Sequence, residues 1–295
     1  MSKPIENRFD FVILFDVKNG NPNGDPDTGN MPRMDAETGI GLVTDACLKR
    51  KIRNYVELVK GDEKGYKIYI RQGVPLETSD KSALEYLGVD NMKEAKRNDP
   101  KIEVKIRDFM CQNFYDIRTF GAVMTTFTKG ALNCGQVRGP VQLGMARSID
   151  PIVPQEITIT RNAITTIKDA AEKNTEMGRK YIVPYGLYQV EGYITAVIAE
   201  RVTQFSTDDL DLLWKAIINM FENDHASGRG NMAVRELIVF KHENKLGNAP
   251  AYKLFERIHV VKKEGITVAR NYSDYDVSVN TKDLPDGVTV ERLIK

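Results

Sequence analysis

The chain has 295 residues, 41% of them hydrophobic and 28% charged, and its 42 lysines and arginines against 41 aspartates and glutamates leave a formal net charge of +1. This composition excludes wholesale disorder, and the net charge alone does not indicate a nucleic-acid partner. The longest apolar runs, residues 11–15 and 194–199, are far shorter than the roughly 18 residues of a membrane span. Because charged residues also interrupt the first ten positions, we expect a cytoplasmic protein with no membrane partner.

The first predicted element is a strand over residues 8–17, whose density of Phe, Val and Ile is typical of a central strand buried on both faces. Residues 19–27 read NGNPNGDPD, in which nearly every residue favours a turn or a left-handed backbone. The loop does not fit a calcium site, because Asn30 stands at position 12 where a bidentate carboxylate is needed. Nor is it a P-loop, since Asn30 and Met31 stand where Lys and Ser/Thr belong.

A helix follows, which Thr44 or Asp45 can cap. Its apolar face consists of Leu48, Ile52, Tyr55, Val56 and Val59. Helical spacing then predicts that Lys49, Arg50 and Arg53 face solvent. With Lys51 they make four positive charges and no acid between residues 47 and 55. Like charges crowded on one turn repel each other, so we favour a phosphate partner over a merely solvated helix face.

The later elements are a helix beginning at residues 99–100, strands over 136–143, 157–160 and 181–199, a helix beginning near Ser206, and strands over 236–241 and 254–261. The order strand, helix, strands, helix, strand predicts an α+β fold of the ferredoxin-like or RNA-recognition type with long insertions. The aromatic signature of RNA-recognition sheets is absent, so we do not expect bases to stack on an open sheet.

Residues 117–149 contain no acidic residue. Their cations recur among glycines and are Arg118, Lys129, Arg138 and Arg147. A flexible backbone with forked donors favours phosphate binding, but burial of this region would also exclude carboxylates, and both interpretations stay open. Arg229, which lies between two glycines, fits a clamp on a phosphate backbone, although Gly228 can also mark the end of a helix.

No cofactor or resident metal is expected. The three cysteines show no C-x-x-C spacing, and the three histidines stand too far apart in sequence for a helical ligand pair. Asp16, Asp25, Asp27 and Asp35 can in principle gather Mg²⁺ for phosphodiester cleavage, so a metal-dependent ribonuclease is the alternative function. A generic protein-interaction scaffold with a solvated basic helix is a third hypothesis.

Several longer stretches carry a family resemblance. They are NGNPNGDPD at 19–27, MPRMD at 31–35, GLVTDACLKRKIRNY at 41–55, DIRTFGAV at 116–123 and RGPVQLGMARS at 138–148. These resemble the CRISPR-associated Csd/Csh backbone subunit, the repeated RNA-binding subunit of type I-C Cascade in the RAMP superfamily. The resemblance extends from about residue 8 to about residue 260 and does not include the tail after residue 261.

The resemblance implies one hand-shaped domain over residues 1–295. Its palm would comprise about 8–60, 117–150 and 186–262, with a helical finger insertion at about 61–116. A thumb β-hairpin would occupy about 150–185. The family binds guide RNA (crRNA) without cleaving it, and several copies stack head to tail along one crRNA.

The implied partners are the crRNA, target DNA, further copies of this chain, and a related 5′-end subunit, a large subunit and a small subunit of Cascade. A guide holder must accept any sequence, so we expect contacts to phosphate and sugar. The predicted RNA-binding residues are Asn21, Arg33, Lys49, Arg50, Arg53, Arg138, Gln142, Arg147, Arg161 and Arg229.

Overall fold

The computed structural model describes residues 2–61, 63–125, 127, 132–170 and 175–294. Its strands are β1 (Phe9–Gly20), β2 (Gly24–Asp25), β3 (Met31–Pro32), β4 (Ile40–Val43), β5 (Gly121–Val123), β6 (Gln136–Arg138), β7 (Val141–Leu143), β8 (Ala146–Pro151), β9 (Gln155–Arg161), β10 (Glu176–Ile194), β11 (Asn231–His242), β12 (Ile258–Lys262), β13 (Tyr275–Val279) and β14 (Val288–Arg292).

The α-helices are α1 (Asp45–Lys60), α2 (Leu76–Tyr86), α3 (Met92–Asn98), α4 (Ile102–Asn113), α5 (Tyr115–Phe120), α6 (Ile167–Ala170), α7 (Ala196–Ile198), α8 (Thr207–Asn219) and α9 (Ala251–Phe255). A π-helical turn, Ala199–Thr203, extends α7. In the described ranges, no helix is both long enough and apolar enough to cross a membrane.

The main sheet is antiparallel and has the order β14-β11-β1-β10-β8-β4, with β7 and β9 also pairing to β10. Four strands of this sheet and the two long helices follow each other along the chain as strand, helix, two strands, helix and strand. They are β1, α1, β8, β10, α8 and β11. This is the order of elements in a ferredoxin-like fold. The predicted α+β class is therefore confirmed.

Strand β1 lies at the centre because it can bury both of its faces. One face, which includes Phe11 and Phe15, packs in the cluster that contains the apolar residues of α1 and α8. The other face, with Val12 and Leu14, packs against β11, α9 and the β12–β13 hairpin. The prediction of a central strand is confirmed, and its poor alternation of polar and apolar residues is explained by burial on both sides.

The two long helices begin where their sequences predict. The Thr44 hydroxyl accepts a hydrogen bond from the Cys47 backbone N–H at 3.2 Å, which caps α1. At α8, Ser206 and Asp209 form a reciprocal capping box. Both caps are local, so the sequence is sufficient to locate them.

The sheet face opposite α1 and α8 is covered. Helix α9 and the β12–β13 hairpin bury Tyr185 and Phe240 there. RNA-recognition domains stack bases on this face of the sheet, so this chain cannot use that mode. The missing aromatic signature agrees with this cover.

Three strand predictions need correction. The strand predicted over 136–143 is divided into β6 and β7, which pair with β5 and β10, respectively. The strand predicted over 181–199 ends at Ile194, because helix α7 begins at Ala196. The strand predicted over 254–261 begins only at Ile258, since Leu254 and Phe255 belong to α9. Short apolar runs fit a helix and a strand equally well, which is why both boundaries were wrong.

A β-hairpin extends from the sheet. Residues 176–182 of β10 pair with β9, while residues 183–194 pair with β1, so one strand serves both the hairpin and the core. Every residue of β9 is exposed. The hairpin lies within the range predicted for the thumb, and the domain boundaries themselves stay a prediction.

The helices α2 to α4 form a separate packing unit. Ile106, Met110 and Phe114 lie in an apolar cluster that is distinct from the one beneath α1. A buried ion pair connects this region to α1: Asp116 accepts from Arg53 Nε at 2.8 Å and from the Tyr69 backbone N–H at 2.8 Å. One carboxylate therefore connects α1, α5 and the segment before α2.

The end of β1 lies directly against the turn that precedes β11. A Cβ atom added to Gly20 would stand 1.8 Å from the carbonyl oxygen of Arg229 and 2.6 Å from the backbone nitrogen of Gly230. Only glycine allows this approach of the two backbones. The backbone N–H of Asn21 donates to the Gly228 carbonyl at 2.9 Å, which fixes the pair of loops together.

We expect Asp116→Asn to lower the free energy of unfolding by about 3–5 kcal/mol, because it leaves the buried Arg53 guanidinium without its anion. Urea denaturation followed by circular dichroism measures this change. The control is Asp211→Asn on the exposed side of α8, with an expected change within about 0.5 kcal/mol. Equal effects of the two substitutions would contradict the structural role of Asp116.

We expect Gly20→Ala to destabilise the protein by about 1–3 kcal/mol, since the new methyl group overlaps the Arg229 backbone. Gly228→Ala is the matched control in the same pair of loops, because its Cβ would meet only Lys180 Cε, at 3.9 Å. The midpoints of urea unfolding compare them. A Gly20→Ala protein as stable as Gly228→Ala would show that the two backbones can separate without cost.

Candidate nucleic-acid interface

A cleft of about 360 Å³ lies where three remote segments meet. These are the loop after β1, the first half of α1, and the turn at 224–229. They bring together three of the predicted RNA-binding residues, Asn21, Arg50 and Arg229. Lys51, which the sequence did not predict as a contact, lines the same cleft.

The loop after β1 is fixed to the start of α1. The Asn23 side-chain oxygen accepts from both the backbone N–H and the hydroxyl of Thr44, each at 3.0 Å. Asn21 Nδ2 donates to the Asn30 carbonyl at 2.7 Å, and Asn30 adopts a left-handed backbone with φ of 68°. The side chains of Asn21 and Asn23 therefore form hydrogen bonds within the protein, and these bonds fix the shape of the cleft wall.

The carboxylate of Asp224 holds two of the cations in place. Its Oδ1 accepts from Arg229 Nη1 at 2.6 Å, and its Oδ2 pairs with Lys51 Nζ. Arg50 is exposed and contacts Gln72. Three cationic side chains and one carboxylate line the cleft, which leaves two positive charges in excess.

Two further groups complete the wall. The side-chain oxygen of Asn21 is buried and has no hydrogen-bond partner among the described residues. Burial raises the pKa of the Cys47 thiol, so it stays neutral at pH 7. The root of the β-hairpin contacts the turn at 224–229, because Lys180 Nζ donates to the Ser227 carbonyl.

The predicted solvent-facing row on α1 is wrong for Arg53. This residue is only 8% exposed, and its guanidinium pairs with Asp116 and lies over the Phe120 ring. Lys49 is also largely covered, with 13% of its side chain exposed and an ion pair to Asp45 Oδ2 at 2.9 Å. Helix α1 packs against α5 as well as α8, and the acids that pair with its cations lie outside residues 47–55.

Two predicted residues lie on a second concave surface, beside the β5–β6 ribbon. Arg138 is exposed, and within the described chain its side chain forms no hydrogen bond or ion pair. Gln142 Nε2 donates to the carbonyl oxygens of Phe120 and Gly139, at 3.3 and 3.2 Å. Phe120 also contacts Lys49, so this surface flanks the other side of α1.

The remaining predicted residues lie outside the cleft, and each has an acidic partner. Arg33 pairs with Asp25 at 3.3 Å, Arg147 pairs with Asp35 at 3.1 Å, and Arg161 pairs with Glu176 on the hairpin.

In the glycine-rich region at 117–149, Arg118 is buried against Asp209, as the burial interpretation predicts. Lys129 lies outside the described residues.

Three of the four carboxylates of the alternative ribonuclease hypothesis, all but Asp27, pair with separate arginines. Asp16 accepts from Arg235 Nε at 2.9 Å, while Asp25 and Asp35 pair with the arginines named above. In the part of the chain that the structure describes, no group of three or more His, Cys, Asp or Glu side chains could hold a metal ion.

Comparison with solved structures finds distant likenesses. Two CRISPR RNA-guided surveillance complexes, one of them captured before nicking, contain chains of 12% and 14% identity with TM-scores of 0.46 and 0.45. The alignments cover 88% and 79% of this chain and 78% and 75% of those chains, respectively. A type III-B Cmr-beta complex bound to cognate target RNA contains a chain of 11% identity and TM-score 0.43, aligned over 79% of this chain and 61% of that one.

Comparison with sequences is more specific. A CRISPR-associated protein Cas7 from Haloferax volcanii is 26% identical over 233 residues, which cover 72% of this chain and 65% of that protein. The family model described as CRISPR-associated protein Cas7 matches residues 7–280, nearly the whole chain. The chain therefore belongs to the Cas7 family of CRISPR-associated proteins.

Proposed function

We propose that this chain is a non-catalytic crRNA-binding subunit that stacks in several copies along one guide to form the backbone of a cytoplasmic surveillance complex. Family membership supports the general role. The observation that carries the proposal is the cleft, in which Arg50, Lys51 and Arg229 converge from remote segments with two positive charges in excess. We assign it to the phosphates of the guide.

The chemistry of the cleft suits a phosphate backbone of any sequence. Asp224 holds Lys51 and Arg229 at fixed positions, so these cations lose little side-chain entropy when a ligand binds. Arginine offers forked donors and lysine offers a point charge, and both match phosphate oxygens. Such contacts fix the path of a strand without reading its bases.

One cleft neutralises only a few phosphates, so affinity must accumulate over successive copies along the strand. The near-zero net charge of the chain suits head-to-tail contacts between copies without general attraction to RNA. The exposed β9–β10 hairpin, with Arg161 at its outer part, is proposed as the thumb that reaches the adjacent copy. Arg33, Arg138, Gln142 and Arg147 are proposed as further backbone contacts.

The type I-C assignment is the finer part of the proposal. It rests on the resemblance of residues 19–55, 116–123 and 138–148 to the Csd/Csh backbone subunit. In such a complex the partners would be target DNA, a related 5′-end subunit, a large subunit and a small subunit. Isolation of the native assembly, with its mass and RNA content measured together, tests this composition.

We expect the double substitution Arg50→Gln and Arg229→Gln to reduce the slope of log affinity against log salt concentration by about 1.4, since each phosphate contact to a single strand contributes about 0.7. Fluorescence anisotropy with a labelled RNA oligomer at several salt concentrations gives the slope. The two substitutions remove charge and keep polar side chains of similar length.

The matched control is Arg97→Gln, an exposed arginine at the end of α3, which should leave the slope unchanged. If the double variant kept the wild-type slope, the cleft would not hold phosphate and the proposed function would lose its main support.

RNA recovered intact after incubation with Mg²⁺ supports the non-catalytic part of the proposal, whereas shortening of the RNA that a chelator prevents would contradict it.

A further inference from the structure

A small groove of about 110 Å³ continues from the cleft, between the second half of α1 and the turn after α8. Asn54 and Asp224 line both the cleft and the groove. The other groove residues used in this argument are Tyr55, Leu58, Asn219 and Asn223. The two concavities therefore adjoin each other at Asn54 and Asp224.

The groove differs from the cleft in charge. Of the residues that line it, only Asp224 is charged. In the cleft the positive charges of Lys51 and Arg229 outweigh this carboxylate, but neither cation lines the groove. A phosphate is therefore attracted to the cleft and repelled from the groove, which suits a neutral part of the same ligand.

The groove lining offers unused hydrogen-bonding groups. Asn54 and Asn223 are exposed, and within the described chain their side chains form no hydrogen bond. Asn219 Nδ2 donates to the Lys215 carbonyl at 2.8 Å, which leaves the side-chain oxygen of Asn219 as an acceptor. Each carboxamide carries both a donor and an acceptor, so these residues can match different polar edges.

The rest of the lining is apolar. Leu58 is 63% exposed, which is a large exposure for a leucine, and the Tyr55 ring is partly buried beside it. The volume is on the scale of the roughly 150 Å³ cavities that accept an aromatic ring.

The spacing along α1 connects the two sites. Asn54 follows Arg50 by four residues, so it stands about one helical turn away on the same side of the helix, at a rise of about 6 Å. A nucleotide carries its base on the sugar beside the phosphate. A phosphate at Arg50 therefore places the attached base near Asn54.

We propose that this groove is a nucleobase subsite, which receives the base of the nucleotide whose phosphate occupies the cleft. The inference rests on the proposed function and extends it from phosphate binding to base binding. The base packs on Tyr55 and Leu58, and its polar edge meets the carboxamides of Asn54 and Asn223. Because these carboxamides present donors and acceptors, the subsite accepts any base of a single strand.

The test compares two probes on the full-length protein, a tetrauridylate and an abasic ribose-phosphate tetramer of the same charge. We expect Asn219→Ala with Asn223→Ala, two residues that line the groove and not the cleft, to weaken tetrauridylate binding about tenfold, the scale of one lost base contact. Binding of the abasic tetramer should stay unchanged. Asn98→Ala, an exposed asparagine at the end of α3, is the control and should alter neither affinity.

An equal loss with both probes would overturn the subsite, because it would assign the asparagines to the shape of the phosphate cleft. Unchanged binding of both probes would overturn it as well, since no base would then contact the groove. The proposed function fails separately: in that case the wild-type protein would bind the abasic tetramer without salt dependence, or would not bind it at all.

Discussion

The Asp224 carboxylate is the contact on which the proposed RNA cleft depends. It lies in the turn after α8 and holds Lys51 of α1 and Arg229 of the adjoining loop. Without it, two cations would repel each other in a narrow space and at least one would turn to solvent. A single acidic residue thus converts scattered positive charges into a preorganised pair.

A second constraint decides where a nucleic acid can lie. The sheet buries both of its faces, one under α1 and α8 and the other under α9 and the β12–β13 hairpin. The concave surfaces that stay accessible to a ligand include those at the end of β1 and on either side of α1. Among the predicted RNA contacts with an exposed side chain, Arg50 lies on the surface of α1 and Arg138 lies on the β5–β6 ribbon, and both are outside the two covered faces.

The sequence predicts the elements whose signals are local. The apolar run of β1 and the caps at Thr44 and Ser206 lead directly to the central strand and the two long helices. The sequence also brings Asn21, Arg50 and Arg229 forward as candidates, and the structure joins these three in one cleft. Their common property is a position in or beside a turn or on an exposed helix surface.

The sequence cannot predict what depends on distant partners. Arg53 is 63 residues from Asp116, and Lys51 is 173 residues from Asp224, so nothing within α1 shows that both cations are buried or that Lys51 lines the cleft and Arg53 does not. The groove beside the cleft also depends on residues that are distant in sequence, because Asn54 lies in α1 and Asn223 lies in the turn after α8. Helical periodicity describes one helix and contains no information on its neighbours.

The shared strand β10 has a mechanical consequence. Its 19 residues run without interruption from the projecting hairpin into the pairing with β1, and the hairpin root also contacts Ser227 through Lys180. A force applied to the hairpin tip has no flexible joint in β10 to absorb it, so it is transmitted to the centre of the sheet and to the loop that carries Arg229. In a row of such subunits, a force on the β9–β10 hairpin of one subunit would alter how that same subunit binds its RNA.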